Sequence, residues 1–400
     1  KPLISISCIT ETSLPIDSPL ILPYCHLDPQ NILEPQILQT YDTLIQKHDH
    51  PIIITFSKMD ALGRDLYPLP ILHDLSFKTM DSKKDKKPTS ESPTNHYQFC
   101  TPKTLEKLNQ DLSNRSWSVS ELEDYLKCPF YYFSSRLLKL RPEVWVSEDI
   151  PPPVLGESIH TILHNFFEVT QKSFAEAAHD PQKQETLLKE LFSQTHIVFE
   201  KMHEKFPQIL EGLWEQRRTR VLNTLNKFLE EEWRALKEKH SYHPTHFEWS
   251  FGNQASPPLT LKTSEGSIQV QGRIDRIDID PQQKKFVVVD YKTGQSVTGA
   301  VIQKGKSLQL PLYIAAAEQN LPKPLEANGG LFTNFGHLTK KDGLLKVEAA
   351  EAFGLHSRSS TYTADQVWDN LFQELPQKIE GIVKNILHGT FSLRDKDEPC

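Results

Sequence analysis

Four hundred residues carrying 28 prolines, 38% hydrophobic residues and a formal charge of −7 exceed one ordinary core and predict two or three domains of a soluble, loop-rich protein. No apolar run approaches the roughly 20 residues that span a bilayer, so no membrane association is expected. The acidic balance excludes a protein that coats nucleic acid through bulk charge, but it leaves room for a local basic surface. Between Gly272 and Ser307, seven Lys and Arg stand against four Asp. The five cysteines, Cys8, Cys25, Cys100, Cys128 and Cys400, are odd in number and scattered. That argues against a disulfide framework and for a reducing cytoplasm. The opening Lys-Pro-Leu-Ile-Ser-Ile-Ser lacks a signal-peptide pattern and an initiator Met, so the chain reads as a piece of a longer one, cut at both ends.

In chain order, Leu3–Cys8 and Ile52–Ser57 are strand-like, with a helical stretch Pro35–Lys47 between them. Residues 1–80 thus read as part of an α/β domain. The stretch 81–112 opens with Lys, Asp, Ser and Pro and almost nothing apolar, and is expected to be a flexible linker. Ser118 or Ser120 caps a helix expected through Glu121–Leu140. Pro151-Pro152-Pro153 reads as a rigid extended stop before a helix over Gly156–Ala177. Two more helices, Gln182–Glu204 and Leu210–Glu238, form a helical insertion over about 178–242. Strand chemistry follows in Thr245–Phe251, Leu259–Thr263, Ile268–Asp280 and Lys285–Tyr291. A helix Lys306–Glu318, a buried strand near Gly330–Asn334 and a helix Ala364–His388 precede a loose tail. Strands embedded among helices make this an α/β or α+β chain.

The most informative stretch is Gly272–Lys292. A strand carrying Asp275 turns through Pro281-Gln282-Gln283 and pairs with Phe286–Tyr291. Side chains alternate along a strand, so Asp290 and Lys292 share a face and Tyr291 takes the other. The apolar run Phe286–Val289 places Asp290 at the C-terminal end of a buried strand, a usual location for chemistry. Two carboxylates and an ammonium gathered there suit metal-dependent phosphodiester hydrolysis. Asp275 and Asp290 would bind Mg²⁺ or Mn²⁺, which needs only one or two protein carboxylates. Lys292 would orient the attacking water, and the Tyr291 backbone carbonyl would add a ligand. Asp278 and Asp280 approach the turn and are expected to face solvent. Taken alone, an Asp-x-Lys triplet also describes the charged end of an exposed strand.

Gly-Arg-Ile-Asp-Arg-Ile-Asp followed by Val-Val-Asp-Tyr-Lys-Thr-Gly resembles the core of the PD-(D/E)XK nucleases, in the RecB/AddB exonuclease branch. Three further pieces fit in order. Trp117–Phe130 resembles the family's entry helix, Gly156-Glu-Ser-Ile-His160 its Gly-x-x-x-His helix, and Gln309-Leu-Pro-Leu-Tyr313 its Gln-x-x-x-Tyr helix. The resemblance implies a restriction-endonuclease-like core, a mixed sheet flanked by helices, over 113–400. It implies His160 as a metal ligand and Gln309 and Tyr313 as cleft residues. His164, one turn from His160, is read as a packed neighbour. Glu248 matches a recurrent family strand glutamate and either backs the site or is a solvated charge.

In AddB-type nucleases a cysteine of the Cys-Pro-Phe helix joins three C-terminal cysteines around a [4Fe-4S] centre. Cys128 and Cys400 match two of those positions, a set this chain cannot complete alone. The implied partners are DNA ends and an AddA- or RecB-like helicase-nuclease subunit. Residues 1–80 would then be the end of a helicase-like domain. Two rival readings stay open: a DNA-binding scaffold that has lost activity, and a stand-alone exonuclease of CRISPR or phage type. Two other features are set aside. Gly299–Ser307 imitates a P-loop with one residue too many between its glycines. Trp214, Trp233 and the basic run 216–220 are read as core aromatics on a solvated helix before a DNA grip.

Overall fold

The computed structural model describes residues 4–7, 52–55, 102–112, 115–140, 149–238, 241–336, 339–355 and 359–392. Two units divide the chain, 1–92 and 93–400. In the first, β1 (Ile4–Ser7) and β2 (Ile52–Thr55) pair in parallel. The helix expected at Pro35–Lys47 lies outside the described residues, as do Cys8, Cys25, Cys100 and Cys400.

The second unit opens with α1 (Pro102–Leu112), within the stretch whose composition suggested a linker. Leu112 is buried in the main core, and a buried anchor holds the helix there. After β3 (Trp117–Ser118), Ser118 caps α2 (Val119–Lys127) through a full capping box. Its hydroxyl accepts the Glu121 N–H at 3.2 Å, and Glu121 Oε1 accepts the Ser118 N–H at 2.7 Å. The helix does not run to Leu140 as expected. Cys128 is extended at φ −158°, because the following Pro129 disfavours a helical residue ahead of it. A short helix Pro129–Tyr132 and a π turn Phe133–Leu137 follow.

Three long helices come next: α3 (Pro152–Ala177), α4 (Pro181–Lys205) and α5 (Glu211–Lys237). The proline triplet does not stop α3 but starts it. Pro151 is the N-cap and Pro152 and Pro153 occupy the first turn, where a missing N–H costs nothing.

The sheet is organised on β6 (Gly266–Asp280), which is 15 residues long. Its first half pairs with β5 (Leu259–Thr263) and with β3. Its second half pairs with β4 (His243–Phe251) and then with β7 (Lys285–Lys292). Strand β7 runs parallel to β8 (Glu326–Asn334), and β9 (Thr339–Leu345) closes the edge antiparallel to β8. The β7-to-β8 crossover carries α6 (Gln309–Asn320), which begins three residues later than expected. The long helix α7 (Asp365–Leu387) follows. The tail is not loose over its described part. Phe391 is fully buried and stacks on Phe133 at 5.0 Å between ring centres.

Strand β7 is covered on both faces, as a central strand beside a parallel neighbour requires. Phe286 and Val288 join the core under α2, α6 and α7. Val289 and Tyr291 join a second core built by α3, α4 and α5. Trp214 and Trp233 belong to this second core and are 4% and 3% exposed, too buried to stack on bases. None of the described helices is long and apolar enough to cross a membrane.

Candidate active site

Register brings the acids together. Arg276 pairs with Val289 and Ile277 with Val288 across β6 and β7, so continuing that ladder sets Asp275 opposite Asp290. On the other side of β6, Phe247 pairs with Arg276 and Trp249 with Ile274, which aligns Glu248 with Asp275. Three carboxylates thus lie in a row across adjacent strands, with Glu248 in a left-handed backbone conformation at φ 47°. A non-glycine residue holds that conformation at a cost of roughly 1–3 kcal/mol, and such outliers cluster at functional sites.

His160 reaches this row from α3. A Cβ on Gly156 would stand 3.0 Å from Thr293 Oγ1, just past the end of β7. The glycine therefore marks close approach of helix to strand, one turn before the histidine. His160 Nδ1 lies 3.1 Å from Asp275 Oδ1 and 4.0 Å from Glu248 Oε1. Ligand atoms of His160, Glu248 and Asp275 all fall within 4.8 Å of one another. One imidazole and two carboxylates form a hard, oxygen-rich donor set that fits Mg²⁺ or Mn²⁺. The second oxygen of Asp275 accepts the Tyr291 N–H at 2.7 Å.

Asp290 stands beside this group rather than in it, in a closed triangle with Lys292 and Gln309. Lys292 Nζ is 2.6 Å from Asp290 Oδ2 and donates to Gln309 Oε1 at 2.9 Å. Gln309 Nε2 in turn donates to Asp290 Oδ1 at 2.7 Å. Tyr313, one turn on, interacts with Gln309, and burial pushes its phenol up. Burial and the charge of Asp275 push the Asp290 carboxyl up to about 7, against the pull of Lys292 and His160. Burial, then Asp275, raises Glu248, while Arg273 and the two histidines oppose. Burial alone would hold the His160 imidazole down, but the hydrogen bond with Asp275 and three neighbouring carboxylates leave it above its usual value. A crowded anionic row that resists ionisation is what a cation would relieve.

Several partners have no signature in the sequence. Glu123 of α2 accepts the Ser307 hydroxyl at 2.9 Å and the Leu308 N–H at 2.6 Å. A buried carboxylate thereby holds the start of α6, whose own N-cap has no side-chain bond. Glu123→Ala is expected to cost about 1–3 kcal/mol in urea unfolding and to lower activity by loosening Gln309. Arg273 Nε sits 2.7 Å from Glu248 Oε2. The turn acids depart from expectation: Asp278 and Asp280 are both 0% exposed. Asp280 accepts the Gln282 and Gln283 N–H groups at 2.9 and 3.0 Å, so it closes the hairpin instead of facing water. His164 points Nδ1 into a buried position without a hydrogen bond, near enough to Glu248 to draw its carboxyl down.

The strain at Glu248 allows a test that separates stability from chemistry. Glu248→Gly is expected to raise unfolding stability by about 1 kcal/mol over Glu248→Ala, because only glycine accepts the left-handed backbone freely. Both variants should bind Mn²⁺ more weakly than the parent in a calorimetric titration.

The P-loop-like stretch builds no phosphate site among the described residues. In the P-loop-like stretch, a Cβ on Gly299 would meet Ser360 O at 2.0 Å. That glycine serves backbone packing, not phosphate. Of the two cysteines matched to a cluster, Cys128 is 2% exposed and Cys400 lies outside the described residues.

A mixed sheet that brings acids of neighbouring strands beside a lysine, with helices on both faces, is the architecture of a nuclease core. The chain belongs to the PD-(D/E)XK nuclease superfamily, whose model matches residues 116–400. It is 30% identical over 221 residues to an ATP-dependent helicase/deoxyribonuclease subunit of Clostridium acetobutylicum, covering 51% of this chain and 18% of that protein. The protein of the same name from Caldanaerobacter subterraneus subsp. tengcongensis is 29% identical over 282 residues, covering 66% of this chain and 23% of that one. In Clostridioides difficile the corresponding figures are 28% over 219 residues, 52% and 18%. The chain thus matches about a fifth of the length of these relatives.

Proposed function

We propose that this chain hydrolyses phosphodiester bonds in DNA with a divalent cation, Mg²⁺ or Mn²⁺. The cation would be held by His160, Asp275 and Glu248, whose ligand atoms converge, with Asp290 and the Tyr291 carbonyl as further donors. The observation that carries the reading is the meeting of an imidazole, paired acids and an amine from three separate segments at one strand edge. A cation there supplies Lewis acidity, lowering the pKa of a bound water and neutralising phosphate charge.

The protein's own groups do the positioning. Gln309 holds Lys292 and Asp290 in one geometry through both ends of its amide. The Lys292 ammonium can then donate to the attacking water or to a non-bridging phosphate oxygen as negative charge builds on it. Water oxygen bonds to phosphorus and gives up a proton to solvent or to a non-bridging phosphate oxygen, the bridging P–O bond breaks, and the leaving oxygen takes a proton from solvent. Tyr313 steadies Gln309 from the next turn.

In a longer protein we propose an exonuclease that trims DNA ends in bacterial double-strand-break repair, working in the cytoplasm with an AddA- or RecB-like helicase-nuclease subunit. The names of the relatives support a helicase-nuclease setting over a stand-alone enzyme. Cleavage of linear and covalently closed circular DNA, with Mn²⁺ or Mg²⁺ and then with excess chelator, tests this. Metal-dependent degradation confined to linear DNA is expected. Cleavage that survives chelation overturns the metal reading, and equal attack on circles overturns the end-trimming one. No cleavage with either metal would favour the inactive scaffold.

A further inference from the structure

Behind the row of acids lies a buried ion triad that the proposed chemistry does not use. Arg276 is 1% exposed, Asp278 0% and Glu232 4%. Arg276 grips Asp278 with two bonds, Nε to Oδ1 at 2.5 Å and Nη2 to Oδ2 at 2.6 Å. Its Nη2 also donates to Glu232 Oε2 at 2.5 Å. Arg276 and Asp278 are two apart on β6 and share its rear face, whereas Asp275 points forward. Glu232 comes from α5, the last helix of the insertion. The triad therefore ties that insertion to the strand that carries Asp275.

Tyr291 links the triad to the front. Its ring lies in the second core, 6.1 Å from Phe228 of α5 and 5.5 Å from Phe335 between centres. The edge-on contact with the His160 ring is 5.7 Å. The Arg276 guanidinium is near enough to the Tyr291 phenol to oppose the upward push of burial on it. The hydroxyl and Arg276 Nη1 are both buried without a hydrogen-bond partner. On the front of the same residue, the N–H holds Asp275. Its chain neighbours are Asp290 and Lys292. One residue thus touches or flanks all four groups of the proposed site.

We infer that Glu232, Arg276 and Asp278 are positioning residues: through the Tyr291 ring they fix, from behind, the strand edge that presents Asp275, Asp290 and Lys292 and the imidazole of His160. The helical insertion is then part of the site's frame, through Glu232 and Phe228. This rests on the nuclease reading for its purpose, but not for its measurement. Groups that orient metal ligands from behind typically matter by about 10–100-fold in metal affinity.

The test compares the parent chain with Tyr291→Phe and with the apolar triple variant Glu232→Leu, Arg276→Met, Asp278→Leu. A purely structural triad can be replaced by apolar side chains with little loss, so stability alone would not distinguish the roles. The readouts are amide exchange of Tyr291 relative to Val288 in metal-free protein, Mn²⁺ affinity by calorimetry, and kcat and KM separately. The triple variant is expected to exchange the Tyr291 amide and to release Mn²⁺ at least about tenfold more readily, with kcat falling more than KM rises. Tyr291→Phe should move in the same direction by a smaller factor. Unchanged exchange and unchanged Mn²⁺ affinity in Tyr291→Phe, or in a folded triple variant, overturn the inference. If the triple variant does not fold, Tyr291→Phe decides. If the parent cleaves no DNA, the nuclease reading falls while exchange and Mn²⁺ binding still judge the positioning role.

Discussion

Lys292→Ala is expected to reduce metal-dependent cleavage of linear DNA by about 10³-fold, within the range for loss of a positioned proton-transfer or charge-stabilising group. The ammonium is the cation of the Asp290–Lys292–Gln309 triangle, 2.6 Å from the carboxylate. It keeps 27% of its side-chain surface open to solvent, so a phosphate can approach it. Its Nζ lies 5.3 Å from the centre of the Phe332 ring, a cation–π contact that limits the directions the amine can take. Lys292→Arg should not rescue, because a planar fork cannot occupy the place of a compact point charge. DNA affinity measured with Ca²⁺ in place of the active metal should change by less than about threefold, since one phosphate contact is a small part of non-specific binding. Equal cleavage by the parent and Lys292→Ala would place the activity elsewhere and sink the assignment.

Arg276→Met is expected to destabilise the second unit by about 3–5 kcal/mol, the usual consequence of removing one partner from a buried charge cluster. Two carboxylates with almost no access to water, Asp278 and Glu232, would lose the guanidinium that both bind. Methionine fills much of the space, and the cation–π contact with Phe167, at 5.8 Å, would give way to ordinary packing. Most of the loss is therefore electrostatic. Removing all three charges should recover much of it, which urea midpoints of the single and triple variants would show. A loss under about 1 kcal/mol for Arg276→Met, the size typical of an exposed pair, would mean that water reaches the cluster.

Much of the architecture was legible from residue order. The alternation and turn chemistry of 268–291 predicted the β6–β7 hairpin, and the serines at 118 and 120 marked the start of α2, with the structure choosing Ser118. The resemblance to the family's Gly-x-x-x-His and Gln-x-x-x-Tyr helices pointed to His160, Gln309 and Tyr313, which lie around Asp275 and Asp290. Misreadings arose where one local signal allowed two outcomes. Prolines can end a helix or begin one, and Pro152 and Pro153 begin α3. Aspartates near a turn can face water or close it, and Asp280 closes it.

What the sequence determined by itself is most of the elements, though not α1 or β9, and the one strand pair that brings two acids and a lysine to the same end. Those follow from periodicity and from contacts a few residues apart. Only the tertiary structure decided which charges meet. Arg276 finds Glu232 across 44 positions, and Leu308 finds Glu123 across 185. The same carboxyl group is a solvated surface charge or a buried strut depending on what packs over it. No local pattern encodes that covering, because burial is set by helices arriving from elsewhere in the chain and it decides whether a charge needs a partner.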